Sequence, residues 1–291
     1  MPPERRSWGE AAHKVGSLAT GIAAVVALLL TYQSLTVTHQ GQVSDRFGRG
    51  VEQLGADTID VRLGGVYALE RLMRDSSEDQ PTVIAVLSAY IRTRTLARTD
   101  TPAKPRPENR PVRLAADVQA ALTVLGRRDP DHDRYARIDL TDIDLTDVDL
   151  TDVNLAGADL RRATLRYTRL PGVDLSHADL RGVDLTGANL GDGANLRHVH
   201  LDNADLTDTD LKEVDLSSAS LLNADLIHAN LHGADLVRAV LSGADLTRAK
   251  LTHANLAHAI MIDTTLTCVR VNDDTVWPSR TRLPLPPQPE C

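Results

Sequence analysis

The sequence predicts a mainly β solenoid preceded by a small helical region and an apolar N-terminal segment, and three observations carry that reading. Leucine recurs every five residues from Leu140 to Leu190 and again from Leu196 to Leu256, and Met261 and Leu266 complete 26 consecutive pentads. Among the 40 acidic residues 32 are Asp and 8 are Glu, and Asp favours turns where Glu favours helix interiors. The 291 residues hold only eight aromatics, too few for an ordinary globular core, so the interior is aliphatic.

A period of five matches neither the 3.6 of a helix nor the 2 of a strand. It suits short extended sides joined by tight turns, with coils stacking as strands do in a sheet. Two residues before each central Leu stands a small or β-branched residue, as at Ile138, Val148, Ala224 and Ala244, and the residue between is usually Asp or Asn. At ~4.8 Å per coil the repeats build about 6.5 coils and a rod roughly 30 Å long. Each buried Leu contributes ~1.5 to 3 kcal/mol.

The segments ADLRG, VDLTG, ANLHG and ADLVRAVLSGADLTRAKLTHANL resemble the A(D/N)LXX signature of the pentapeptide-repeat family. The resemblance implies a right-handed quadrilateral β-helix with four pentads per coil over 138–270, the central Leu and the residue two before it pointing inward. Residues 44–94 (SDRFGRGVEQLGADTIDVRLGGVYALERLMRDSSEDQPTVIAVLSAYIRTR) are similar to the helical segment that precedes the repeats in membrane-associated bacterial members. Their own patterning agrees: Phe47, Val51 and Leu54 form one helical stripe, Leu63, Val66, Tyr67 and Met73 a second, and Pro81 opens a third with Ile84, Leu87 and Ile91.

Residues 95–113, with Pro102, Pro105, Pro107 and Pro111 among basic residues, read as a solvated linker. Leu114, Val118, Leu122 and Leu125 follow helical spacing up to Gly126, a glycine cap, and this helix in 114–137 is expected to cover the first coil. At the far end, in 271–291, Trp277 and Pro278 are expected to close the last coil, leaving a loose Pro-rich tail after Arg280. The step from Leu190 to Leu196 is six residues, and the extra one falls in Gly191-Asp192-Gly193, a bulge or small loop.

Within 1–43, residues 15 to 43 carry no Lys, Arg, Asp or Glu, and the apolar run over about 15–35 is long enough to predict a transmembrane helix. The expected localisation is the cell membrane, single-pass. Arg5, Arg6 and Lys14 before the run favour a cytoplasmic N-terminus and an external rod, whereas similar family members keep the repeats in the cytoplasm, and the latter tips the expectation.

Charge divides the chain. Residues 1–137 carry 19 Lys/Arg against 16 acids, residues 138–268 carry 10 against 21. An acidic rod argues against direct binding to nucleic-acid phosphates and points to a basic protein partner, with homo-oligomerisation through a coil end left open. Counting four pentads per coil aligns Asp184, Asp205, Asp225 and Asp245 in one column. Such residues hydrogen-bond nearby turn backbone and also form a stripe that a basic partner could read. The same count stacks His177 on His198, a candidate divalent-metal pair without a third ligand in its column. Arg161, Arg162, Arg166 and Arg169 mark a local basic patch. No P-loop, dinucleotide fingerprint or HExxH is present, and a filled convex rod is expected to offer no pocket, so neither catalysis nor a cofactor is expected. With only Cys268 and Cys291 there is no disulfide framework.

The composite expectation is a non-catalytic, membrane-anchored interaction scaffold. The alternatives are an acidic mimic of B-DNA acting on a DNA-binding enzyme such as gyrase, as in the quinolone-resistance members of the family, and an enzyme or metal protein using surface histidines.

Overall fold

The computed structural model describes residues 45–99 and 114–279. The chain divides into two compact units, Met1–Arg49 and Gly50–Cys291. Of the first only 45–49 are described, and they are helical. The apolar run at 15–35, the linker over 100–113 and the tail after Ser279 lie outside the described residues.

Helix α1 covers 45–54, α2 Ile59–Asp75, α3 Gln80–Thr99 and α4 Ala116–Gly126. Val66, Leu69, Leu72, Ile84, Leu87, Ile91, Leu122 and Leu125 are buried where α2, α3 and α4 pack, and Leu54 at the end of α1 is buried too. Tyr67 is 51% exposed, so the second stripe turns toward Leu69 and Leu72 instead. Gly65 is required by packing, because a methyl group there would meet the Gly50 carbonyl at 2.8 Å. Gly126 does not act as a left-handed cap. It is the last residue of α4, and an added methyl would lie 2.7 Å from Val153 Cγ1, so glycine lets the helix end approach the first coil.

From Ile138 the chain winds as a β-helix whose sides pair in parallel by isolated bridges rather than extended strands. The residue before each central Leu stacks on its counterpart one coil away: Asp139 on Asp159, Asp159 on Asp179, and so on to Asn255 on Val276. Two bonds repeat at each step. The central Leu N–H donates to the column residue below, as Leu160 to Asp179 (2.8 Å), and that residue's N–H donates to the inward residue above, as Asp179 to Ala158 (2.9 Å). At each corner the inward residue's N–H reaches back to the preceding Leu carbonyl, as Ala158 to Leu155 (3.0 Å). The third residue of that turn has positive φ, for example His177 at 58° and Gly182 at 66°, as a type II turn requires.

The central leucines from Leu140 to Leu256 are buried, as are Ala158, Ala204 and Ala244 at the inward corner. Thr168 and Thr209 take the same inward position, and their hydroxyls donate to the carbonyls of Leu145 and Leu185 in the coil above, each at 3.0 Å. The bridges step by twenty residues until Asp174 pairs with Asn195, which places the extra residue at Gly191-Asp192-Gly193. A second insertion follows Val271, so that Asn255 pairs with Val276.

The expectation of a single-pass membrane protein is corrected. Among the described residues no helix is long and apolar enough to cross a membrane. The longest helix named here, α3, has 20 residues and is interrupted by Arg92, Arg94 and Arg98.

Candidate interaction surface

The outward column residues do local work first. Asp or Asn accepts, through Oδ1, the N–H two residues on, which pins the start of each corner: Asp184 from Thr186 (3.0 Å), Asp205 from Thr207 (3.0 Å), Asp225 from Ile227 (3.1 Å) and Asp245 from Thr247 (2.8 Å). This Asx-type bond recurs on all four sides, at Asp139, Asp149 and Asn154 among others. It explains why Asp and Asn, rather than Glu and Gln, fill the position.

Asp184, Asp205, Asp225 and Asp245 do stack in one column, continued by Thr164 above and Thr265 below. Arg166 Nη1 lies 3.5 Å from Asp184 Oδ2. Among the described residues no ion pair involves Asp205, Asp225 or Asp245. Burial pushes the Asp205 carboxyl up, but hydrogen bonds from the Thr207 hydroxyl and N–H and from Thr186 outweigh it and hold the group below the usual carboxylate range.

The basic patch is neutralised. Arg161 pairs with Asp159 (2.6 Å), Arg162 with Asp142 (2.6 Å), Arg166 with Asp184 and Arg169 with Asp149 (3.8 Å). Arg181 joins Asp179 at 2.6 Å and extends the ladder. Sequence reasoning missed the pairs that cross coils because partners such as Arg162 and Asp142 are twenty residues apart. The signal was available in the same coil count that aligned the aspartates.

His177 and His198 stack with ring centroids 4.8 Å apart and an interplanar angle of 13°. Among the described residues no group of three or more His, Cys, Asp or Glu side chains is placed to hold a metal ion. The expectation of no pocket fails at the N-terminal end of the rod. A cleft of about 500 Å³ opens between α4 and the first coil, lined by Gln119, Thr123, Arg127, Asp149 and Asp152. A second of about 430 Å³ lies by Glu70, Arg74, Gln80 and His132. Its charged groups are paired: Arg127 with Glu70 (3.7 Å), Arg74 with Glu70 (4.0 Å) and Arg128 with the adjacent Asp133 (2.8 Å), while His132 Nδ1 lies 2.8 Å from Asp129 Oδ2.

A family model described as Pentapeptide repeats matches eight copies within residues 137–267. The chain belongs to the pentapeptide-repeat family. Solved structures of similar proteins include the pentapeptide repeat protein Rfr23 from the cyanobacterium Cyanothece 51142, 36% identical over 44% of this chain and 90% of that one, with a TM-score of 0.33. A pentapeptide repeat protein from the Arabidopsis thaliana thylakoid lumen is 32% identical over 34% of this chain and 65% of that one (TM-score 0.27). The plasmid-mediated fluoroquinolone resistance protein QnrB1 is 20% identical over 46% and 80% (TM-score 0.24). No curated protein matches the sequence significantly.

Proposed function

We propose that this pentapeptide-repeat protein is a non-catalytic interaction scaffold whose acidic column, Asp184, Asp205, Asp225 and Asp245, is read by a basic protein partner. The observation that carries the reading is a row of carboxylates in which Asp205, Asp225 and Asp245 have no ion pair among the described residues, held on backbone that repeats one hydrogen-bond pattern coil after coil. A surface already ordered loses little entropy on binding, and fixed spacing lets a row of Lys or Arg be matched side chain by side chain. The mimicry of B-DNA is less well supported. The column offers one carboxylate per coil, ~4.8 Å, where each strand of the duplex carries one charge per ~3.4 Å of axis.

The test exploits the double duty of each aspartate. In the triple variant Asp205→Asn, Asp225→Asn, Asp245→Asn, Oδ1 remains as acceptor for the turn N–H while the charge is removed. Polylysine is the probe, with affinity followed against salt. The expected result is weaker binding and a shallower salt slope at unchanged thermal stability. A control triple on other sides of the rod (Asp174→Asn, Asp210→Asn, Asp235→Asn) that weakens binding equally would show general acidity instead and sink the assignment.

A further inference from the structure

Of the chain's Phe, Tyr and Trp residues only Tyr167 and Trp277 fall within 138–279. Tyr167 adds nothing to the interior, since it stands at an outward corner and is 54% exposed. It also stands where a bulky residue is disfavoured. Its φ is 56°, and among the described residues no other Phe, Tyr or Trp takes a positive φ. Such outliers gather at functional sites. Room for the ring comes from the next coil: Gly187 follows Tyr167 in the corner column, and a methyl group on it would lie 2.6 Å from Tyr167 Cδ1 and Cε1.

The surroundings of the ring suit a cation. The Arg166 guanidinium lies over it, Cζ 5.6 Å from the centroid, while Nη1 is 3.5 Å from Asp184 Oδ2. One guanidinium therefore spans the aromatic face and the first carboxylate of the acidic column. Asp147 takes the same corner one coil above, its N–H donating to the Arg166 carbonyl at 2.9 Å. Among the described residues no ion pair involves the Asp147 carboxylate. Asp205 continues the side one coil below Asp184.

We propose that Tyr167 anchors the basic partner, its ring taking an arginine rather than a lysine, with Asp147 and Asp184 as the carboxylates that the guanidinium reaches. The inference rests on the acidic column being a partner-binding surface. Arginine is favoured because a planar, weakly hydrated guanidinium stacks on an aromatic face and still donates in its own plane, whereas an ammonium is a strongly hydrated point charge. Arg166 holds the place in the free protein. Its side chain is 43% exposed, and it yields to a partner arginine that brings further basic residues onto Asp205, Asp225 and Asp245. Tyrosine and arginine are also the residue types that dominate interface energetics.

The test uses the full chain and two peptides of equal length and charge, oligo-arginine and oligo-lysine. Tyr167→Asn removes the ring and suits the left-handed backbone, as Asn203 and Asn223 do at equivalent corners; Tyr167→Phe keeps the ring. Tyr167→Asn should weaken oligo-arginine about two- to five-fold, the range of an exposed cation–π contact, and leave oligo-lysine unchanged, while Tyr167→Phe keeps wild-type affinity for both. Arg166→Gln should tighten oligo-arginine, since it clears the ring and releases Asp184. Equal loss of both peptides in Tyr167→Asn, loss of oligo-arginine in Tyr167→Phe, or weaker oligo-arginine binding in Arg166→Gln overturns the inference. The triple variant Asp205→Asn, Asp225→Asn, Asp245→Asn separates the two readings. If it weakens both peptides while Tyr167→Asn weakens neither, the anchor alone fails; if it weakens neither, the column itself fails.

Discussion

The two ends of the β-helix meet the same physical demand by opposite means. A first coil has no coil above it to donate N–H groups or accept them. Here side chains from the helical region stand in: Ser88 Oγ accepts from the Asp139 N–H (3.2 Å), and Arg128 donates to the carbonyls of Asn154 and Ala156 at 2.8 Å each. Gln119 donates to the Asp149 carbonyl at 3.4 Å. Arg92 on α3 adds an ion pair to Asp139 at 2.6 Å. The last coil has no such helical partner among the described residues, and its central side chains are half open. A repeat therefore specifies its own middle but leaves each end to be solved separately.

The sharpest way to probe that contrast is to place the same charge at the middle and at the end. Leu206→Asp buries a carboxylate where the wild-type side chain is fully buried. It should cost about 4 kcal/mol or more, seen as a fall in the urea midpoint by circular dichroism. Met261→Asp should cost about 1 to 2 kcal/mol in the same measurement, and equal losses would mean that the last coil is as closed as the middle.

Next in size is the N-terminal seal. Arg128→Ala leaves Asp133 without its ion pair and two coil carbonyls without donors. It should cost about 3 kcal/mol and raise amide exchange in the first coil while leaving coils beyond Leu206 unchanged. Uniform acceleration along the rod would break the idea of a local seal.

Acid should loosen the same end. Burial pushes the Asp117 carboxyl up, but hydrogen bonds from Tyr90 (2.6 Å) and Arg62 (2.5 Å) and from the Val118 N–H (3.0 Å) outweigh it, so its folded pKa lies below the usual value. A lowered folded pKa gives stability that is fully present above the unfolded value, ~3.9, and lost as pH falls through the folded one. Exchange in α2 to α4 should therefore rise below about pH 4, and Asp117→Asn should remove that pH dependence while weakening the packing at neutral pH. A wild-type profile flat down to acid would overturn the assignment.

The smallest effect is expected at a corner. Gly187→Ala strains a φ of 66° and brings a methyl 2.6 Å from Tyr167 Cδ1, whereas Gly182→Asn, at the same φ with Arg162 no nearer than 3.8 Å, should change stability by less than about 0.5 kcal/mol, because Asn enters the left-handed region readily. Thermal melts of the pair would show whether corner cost comes from backbone or from neighbours.

Much of this was legible before any coordinates. The five-residue recurrence of Leu, the small residue before it and the extra residue at Gly191-Asp192-Gly193 name the coil, its interior and its irregularity, because every contact in a solenoid is a translation of the last one. The same count placed Asp184, Asp205, Asp225 and Asp245 in one column and His177 on His198. Sequence also supplied the chemistry of the corner, since Asp and Asn are the residues that bond forward to the turn N–H. Only the tertiary structure decided what is not periodic: that Arg62 and Asp117, 55 residues apart, share a largely buried ion pair, and that Gly126 is small because Val153 is close. The physical reason is one of range. Repeats encode neighbours by spacing, whereas a cap and its contacts join residues whose separation along the chain carries no period.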